Sequence, residues 1–235
     1  MAKVVFAQEK EPFIFTTDES YASNVNEKIL TQVYKNIGYK IEITHLPAAR
    51  ALASSNSGKF DGELYRVKSI TATYRNLIAI PQPISELYVV VFTKYRCIGL
   101  TDLHSIKPYK VGWIRGQKFA EQATKDIDAY PVNNFKQAFG MLDKGRVDLV
   151  IGTKLSALDG LEKLTGLDFK NISMLPDAIS TIPIYHFLHK KNESMIEKVN
   201  SSLTQLKEQG IPEKIMFSEL DKILGHVNLQ KLNLQ

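Results

Sequence analysis

Arg66, next to Tyr65, is the group in this chain whose type and placement best suit holding a small molecule. It stands at the carboxyl end of a strand candidate with an acidic-glycine entry that begins near Phe60. A guanidinium donates two parallel hydrogen bonds, which fits a carboxylate or another planar anion. In open α/β sheets the carboxyl edge of the strands is where small ligands are held. The same arginine has an alternative partner nearby, an ion pair with Glu63 or Asp61. Covalent chemistry lacks its usual marks: there is no G-x-S-x-G elbow, no P-loop and no G-x-G-x-x-G. Of the five histidines (His45, His104, His186, His189, His226), His186 and His189 have a spacing that suits a metal on a helix. Their segment reads as extended and no HExxH accompanies them, so a structural or exposed role is expected. Cys97 is the single cysteine. It excludes an intramolecular disulfide and a cysteine metal site, and it has no identifiable base partner. No metal and no cofactor are expected.

The elements that must position Arg66 alternate between strand and helix. Val4 to Ala7 reads as a buried strand, and Val25, Ile29, Val33 and Ile37 recur on one face of a helix that Gly38 stops. Ile41 and Ile43 alternate with polar neighbours as a half-buried strand, and Ala48 to Ser57 reads as a second helix stopped by Gly58. Phe60–Tyr65, Leu77–Ile80 and Leu87–Phe92 are strand candidates. The pattern then repeats. Lys110–Ile114 is a strand, Gly116 opens a helix through about Lys125, and Val132 lies on a further strand. Asn134–Lys144 carries Phe135, Ala138, Phe139 and Leu142 on one face, and Val147–Gly152 is apolar enough for a central parallel strand. The extended Ile182–Leu188 leads into two helices, one with the stripe Met195, Val199, Leu203 and Leu206, the next starting at Pro212. Strand–helix alternation at this spacing predicts an α/β fold with mostly parallel sheets flanked by helices.

The bulk numbers narrow the function classes. At 235 residues the chain has room for one large or two small domains with real cores. Net charge is +5, but Lys and Arg are spread along the chain with no basic run, so nucleic acid is not an expected partner. No apolar run approaches the ~20 residues of a membrane span. Met1-Ala2-Lys3 leads straight into Val4-Val5-Phe6 without a signal peptide, so the sequence reads as cytoplasmic or as lacking its export signal.

Five motifs in order resemble the bacterial extracellular solute-binding proteins of family 3, the amino-acid-type periplasmic receptors of ABC importers. EPFIF resembles that family's proline-phenylalanine motif after strand one. ARALASSNSGKFDGELYRV resembles its helix, glycine and "DG" strand. KPYKVGWIRGQKF resembles the start of lobe two, DKGRVDLVIG its "GRVD" strand, and IYHFLHKKN the return to lobe one. The resemblance implies a two-lobed type II fold, with lobe 1 formed by residues 1–95 and 186–235 and lobe 2 by residues 96–185. It implies reversible binding of a small polar, carboxylate-bearing, amino-acid-like solute in an inter-lobe cleft with hinge closure. A monomer in the periplasm, its signal peptide removed, would deliver the solute to the membrane permease of an ABC transporter. Two departures bear on the ligand. Arg66 stands near a position usually held by a small hydroxyl residue, with Arg75 slightly off the usual arginine's register, and Thr153 replaces the aspartate that usually pairs with an α-ammonium.

The resemblance places the ligand-binding candidates. Phe13, in a loop after Pro12, and Tyr65 are aromatic walls, each alternatively a packing residue. Arg66 is the anion anchor, and Arg66→Ala is expected to lower affinity by an order of magnitude or more with the fold intact. In lobe two, Gly116-Gln117-Lys118 would offer a helix N-terminus to an anion, with Gln117 a direct contact. Trp113 and Arg115 flank it, as core or cleft residues. Thr153 ends its strand at the same edge, and Tyr185 lies in the second connecting segment. The competing enzyme class is a dehydratase on the same fold with Glu63 as general acid, and a third class is a ligand-sensing domain of a signalling protein.

Overall fold

Local sequence signals begin and end the helices. In a computed structural model, which describes residues 10–18, 20–95, 98–162 and 172–226, the elements run in order β1 (Phe13–Thr17), α1 (Tyr21–Asn36), β2 (Ile41–His45), α2 (Ala48–Asn56), β3 (Gly62–Val67) and β4 (Leu77–Ala79). They continue as β5 (Ser85–Thr93), β6 (Val111–Ile114), α3 (Lys118–Ala123), β7 (Ala129–Val132), α4 (Phe135–Asp143), β8 (Leu149–Thr153) and α5 (Lys154–Glu162). Last come β9 (Ser173–Met174), β10 (Ser180–His189), α6 (Ile196–Glu208) and α7 (Ile211–His226). Among the described residues no helix is long and apolar enough to cross a membrane. The expected strand Val4–Ala7 and Cys97 lie outside the described residues.

Two compact units divide the chain. One runs up to Ser85 and resumes over Pro183–Met216; the other is Glu86–Ile182 with the chain from Phe217 on. The chain leaves the first unit at the start of β5 and returns to it within β10.

Unit 1 is built on parallel strands. β1 lies between β2 and β3, with Phe15 opposite Ile43 and Thr16 opposite Glu63, and β10 runs antiparallel to β3, placing Tyr185 opposite Arg66. A Cβ on Gly62 would stand 2.0 Å from the carbonyl oxygen of Phe187, so this close approach of β10 admits only glycine. α1 covers the sheet with Val25, Ile29, Leu30 and Val33, all buried. Each such side chain removed from water contributes roughly 1.5–3 kcal/mol. α6 docks through Val199, Leu203 and Leu206, and Ser202 Oγ donates to the carbonyl of Val33 at 2.8 Å. Phe13 departs from expectation. It opens β1 instead of sitting in a loop, because Phe13, Ile14 and Phe15 find ladder partners in Ile41, Glu42 and Ile43.

Unit 2 repeats the plan with a more apolar centre. β8 is buried along its whole length between antiparallel β5 and parallel β6, and β7 follows β6. α4 buries Phe135, Ala138, Phe139 and Leu142, the stripe its spacing predicts. Val89, Val91, Val111, Leu149 and Ile151 form the core with Trp113. α3 is shorter than expected. It stops at Ala123 because Thr124 turns back, its Oγ1 donating to the Ala120 carbonyl at 2.7 Å, and β7 begins only five residues later at Ala129.

Candidate functional site

The parallel strands of unit 1 bring three loops to one edge. β2 ends at His45, β1 runs out into Asp18, and β3 ends with Arg66 and Val67. Asp18 organises this edge. Its Oδ2 accepts from Arg66 Nη1 at 3.0 Å, and its Oδ1 lies 3.3 Å from the hydroxyls of Tyr65 and Ser23. Ser20 caps α1, accepting from the Ser23 N–H at 3.2 Å. The same Oγ exchanges a 2.9 Å bond with Tyr65 Oη, so the start of α1 and the end of β3 are tied at one point. Arg66 also stacks over the Tyr65 ring, 5.5 Å from its centroid. Burial, reinforced by the Asp18 charge, pushes the Tyr65 hydroxyl up to about 12, so it remains a donor.

Beneath this edge lies Glu63, with no exposed side-chain surface. Its Oε1 is 2.6 Å from Arg66 Nη2, an ion-pair distance. The contact misses hydrogen-bond geometry, so neither atom counts as satisfied, and Arg66 Nε has no hydrogen-bond partner among the described residues. Glu63 Oε2 is 2.5 Å from Thr16 Oγ1, which lies 2.6 Å from Ser55 Oγ, which reaches the Gly62 carbonyl at 2.7 Å. Each hydroxyl carries one proton. With Glu63 ionised, one contact in this chain lacks a proton. With Glu63 protonated, Glu63 donates to Thr16, Thr16 to Ser55, and Ser55 to Gly62, which fills these three short contacts and leaves the longer 3.2 Å approach of Thr16 Oγ1 to the Ala51 carbonyl without a proton. Burial agrees with the proton count: it raises the Glu63 carboxyl to about 7, against the opposing pull of Arg66 and the Thr16 hydrogen bond.

A second buried network backs β3 from β10. His186 Nδ1 lies 3.0 Å from the carbonyls of both Glu63 and Leu64, which only accept, so Nδ1 carries the proton. Nε2 then accepts from Tyr34 Oη at 3.0 Å. Complete burial lowers this imidazole to about 4 and keeps it neutral. His189 is buried and accepts from the Lys191 N–H. Neither histidine joins a metal-binding group, and none of three or more ligand side chains exists among the described residues.

In unit 2 the corresponding edge carries Thr153 at the end of β8, Arg115–Gln117 after β6, and Asn133 and Asn134 after β7. Gly116 adopts φ 92°, which lets the chain turn directly from β6 into α3. Arg115 is exposed, and Thr153 is buried. Gln117 occupies the N-cap of α3 without a side-chain capping bond, and its Oε1 is buried without a hydrogen-bond partner among the described residues. The expected anion seat at this helix start is weakened by length, since six residues form little macrodipole.

The structure thus groups Tyr65, Arg66 and Tyr185 in unit 1, the last with Lys68 Nζ 5.4 Å above its ring. It gathers Arg115, Gln117 and Thr153 at the unit 2 edge. Phe13 packs elsewhere, its ring 5.4 Å from Tyr34 and 5.2 Å from Tyr39. Trp113 is a core residue of unit 2, although its Nε1 has no hydrogen-bond partner among the described residues. Asp18, Ser20 and Ser23 are additions. Asp-x-Ser immediately before an apolar helical stripe is an N-cap signal, and it was there to be used.

No protein-family model matches the chain. An uncharacterized protein of Shewanella oneidensis is 28% identical over 200 residues, covering 80% of this chain and 73% of that protein. The L-cystine-binding protein TcyA of Bacillus subtilis is 24% identical over 215 residues, covering 87% and 75%. Among solved structures, an ancestral arginine-binding protein bound to arginine superposes with a TM-score of 0.64 at 20% identity, covering 90% of this chain and 99% of that one. A histidine kinase sensor domain similar to periplasmic binding proteins gives 0.66 at 15% identity, covering 90% and 97%. The chain has the α/β fold of the periplasmic binding proteins.

Proposed function

We propose that the chain is a solute receptor that reversibly binds a small, carboxylate-bearing, amino-acid-like molecule and delivers it to the permease of an ABC importer outside the cytoplasm. The observation that carries this reading is Arg66. It is a nearly buried guanidinium on the carboxyl edge of the unit 1 strands, oriented by Asp18, stacked on Tyr65, and with no hydrogen-bond partner for Nε among the described residues. An unpaired buried donor costs roughly 1–3 kcal/mol. A ligand carboxylate would recover that cost, and the rigid frame lowers the entropy of capture. Gln117 Oε1 and the exposed Arg115 are the contacts proposed for unit 2, with Tyr185 and Thr153 beside the two sets. The named relative TcyA and the arginine-bound structure are binding proteins, which supports transport over turnover. As a general acid Glu63 has little support, because its two oxygens face Arg66 and Thr16 and it has no exposed side-chain surface. The sensor-domain likeness keeps ligand sensing as the second reading.

A thermal-shift screen of the purified protein against amino acids, small carboxylates, polyamines and sugars tests the proposal. A ligand at ~100 times its dissociation constant stabilises the fold by ~2.7 kcal/mol. A selective shift by an unconsumed carboxylate-bearing probe is expected. A probe converted to product would overturn the receptor reading in favour of an enzyme. Silence across the panel would remove solute binding altogether.

A further inference from the structure

Resting on the receptor reading above, we infer that solute capture in unit 1 is coupled to a proton: ionised Glu63 competes with the solute carboxylate for Arg66, and Glu63 takes up a proton as the solute binds. Geometry sets up the competition. Both residues stand on β3, and the Glu63 side chain has no exposed surface, so the acid has no solvent to turn to. Its Oε1 is 2.6 Å from Arg66 Nη2 without reaching hydrogen-bond geometry. Asp18 holds Nη1 at 3.0 Å. Nε and Nη2, neither with a hydrogen-bond partner among the described residues, are therefore the guanidinium edge left for a carboxylate. A carboxylate received there in two parallel bonds lies against Glu63 Oε1. Two carboxylates sharing one buried guanidinium disfavour each other's charge, and the one that can take a proton does so.

The hydroxyls behind Glu63 are built to accept that change. Thr16 and Ser55 carry one proton each, and only a protonated Glu63 fills the three short contacts from Oε2 to the Gly62 carbonyl. Burial raises the acid to about 7, which places the changeover near neutral pH. The surrounding charges fix its direction. Arg66 faces Glu63 from β3, and Asp18 acts on it from the end of β1. From α2 the group is Ser55, and from β10 the neutral His186 meets only the Glu63 carbonyl. Tyr34 of α1 reaches His186 rather than Glu63. Lys68 follows β3, its Nζ over the Tyr185 ring, and His45 is exposed at the end of β2, its Nδ1 3.4 Å from the Asp18 carbonyl. Arg66 and Lys68 against Asp18 and an ionised Glu63 sum to zero; protonating Glu63 leaves one net positive charge. An anion binds the protonated form better, and by linkage a bound anion tightens the hold of Glu63 on its proton.

Calorimetric titration of the unmodified protein with L-amino acids, succinate and glutarate tests the coupling. It is run between pH 6 and 8.5, and at pH 8 in both phosphate and Tris, whose unequal ionisation enthalpies expose any proton taken up. The tightest probe is expected to lose at least tenfold in affinity from pH 6 to 8.5 and to take up protons at pH 8. Level affinity across this range, or a proton released on binding, would overturn the coupling and leave the receptor reading standing. Silence from every probe would remove both. Two variants tie the proton to Glu63. Glu63→Gln should flatten the pH profile and abolish the buffer difference. Ser55→Ala frees Thr16 to donate to an ionised Glu63 without conflict, so the loss of affinity should set in at lower pH. A profile unchanged in either folded variant would assign the proton to another group and overturn the role of Glu63. The buffer comparison on the unmodified chain decides the coupling whether or not the variants fold.

Discussion

The strand edges of the two units differ in where they keep charge. In unit 1 an arginine and two acids meet at the end of parallel strands, with Glu63 and most of Arg66 out of water. In unit 2 the corresponding edge offers the amides of Gln117, Asn133 and Asn134, the Thr153 hydroxyl and the exposed Arg115. The cause lies one layer down. Unit 1 lines β1, α2 and β3 with Thr16, Ser55 and Glu63, which satisfy one another, whereas unit 2 fills β8 with Leu149, Val150 and Ile151. A buried charge survives only where such partners exist. An acid at position 153 would have only apolar neighbours on its own strand. The charged groups of the strand edges are therefore concentrated where the core beneath them is polar.

Removing the central charge should test this contrast most severely. Arg66→Met leaves Glu63 and Asp18 without their counter-ion, and breaking a buried pair from one side costs on the order of 3–5 kcal/mol. The loss should be near that size at pH 8 in urea denaturation. It should shrink below pH 6, where Glu63 is protonated in any case, and it should be smaller in a Glu63→Gln background. A small, pH-independent loss would mean that the ion pairs are ornamental. The same reasoning revises the sequence-based expectation for Arg66→Ala: lost affinity comes together with lost stability, not with an intact fold.

The next effect is a pH dependence in which two neighbouring groups oppose each other. Glu63 holds its proton up to about 7 when folded but only to 4.5 when unfolded, so its contribution favours the fold in acid and is lost as pH rises between these values. His186 refuses a proton down to about 4 when folded but takes one below 6.5 when unfolded, so its contribution is lost as pH falls from 6.5 to 4. Each amounts to roughly 3 kcal/mol, and between about 4.5 and 6.5 the two cancel. Glu63→Gln removes one arm. Its stability relative to the parent should grow by roughly 3 kcal/mol from pH 4.5 to 7, measured by denaturation at half-unit steps. A constant difference would place Glu63 at an ordinary carboxylate value.

How much of this was legible follows from how far apart the interacting residues lie. The stripes of α1, α4 and α6 and the burial of β8 were readable because they depend on spacing within one element. The pairing of Arg66 with Glu63, the alternative to a ligand role, was readable because the two stand three residues apart. Asp18 was not, since it comes from 48 residues away through the β1–β3 pairing. Phe13 misled because a proline-phenylalanine pair reads as a loop until the β2 ladder is known. Glu63 carried no local sign of its burial; the hydroxyls that shelter it sit on other elements.

The smallest expected effect tests whether the cap of α1 belongs to the site as well as to the helix. Ser20 Oγ accepts from the Ser23 N–H and also holds Tyr65 Oη at 2.9 Å. Ser20→Ala should cost about 1 kcal/mol of stability, the usual loss for a serine cap. A purely helical role ends there. Tyr65 also contacts Asp18 Oδ1 and underlies Arg66, so loosening it should weaken solute affinity several-fold, chiefly through a faster off-rate. Ser20→Asp restores the cap but sets a second negative charge beside Asp18, and should recover stability without recovering solute affinity. Equal recovery of both, in paired denaturation and titration, would confine Ser20 to the helix and reduce the unit 1 site to Asp18, Tyr65 and Arg66 alone.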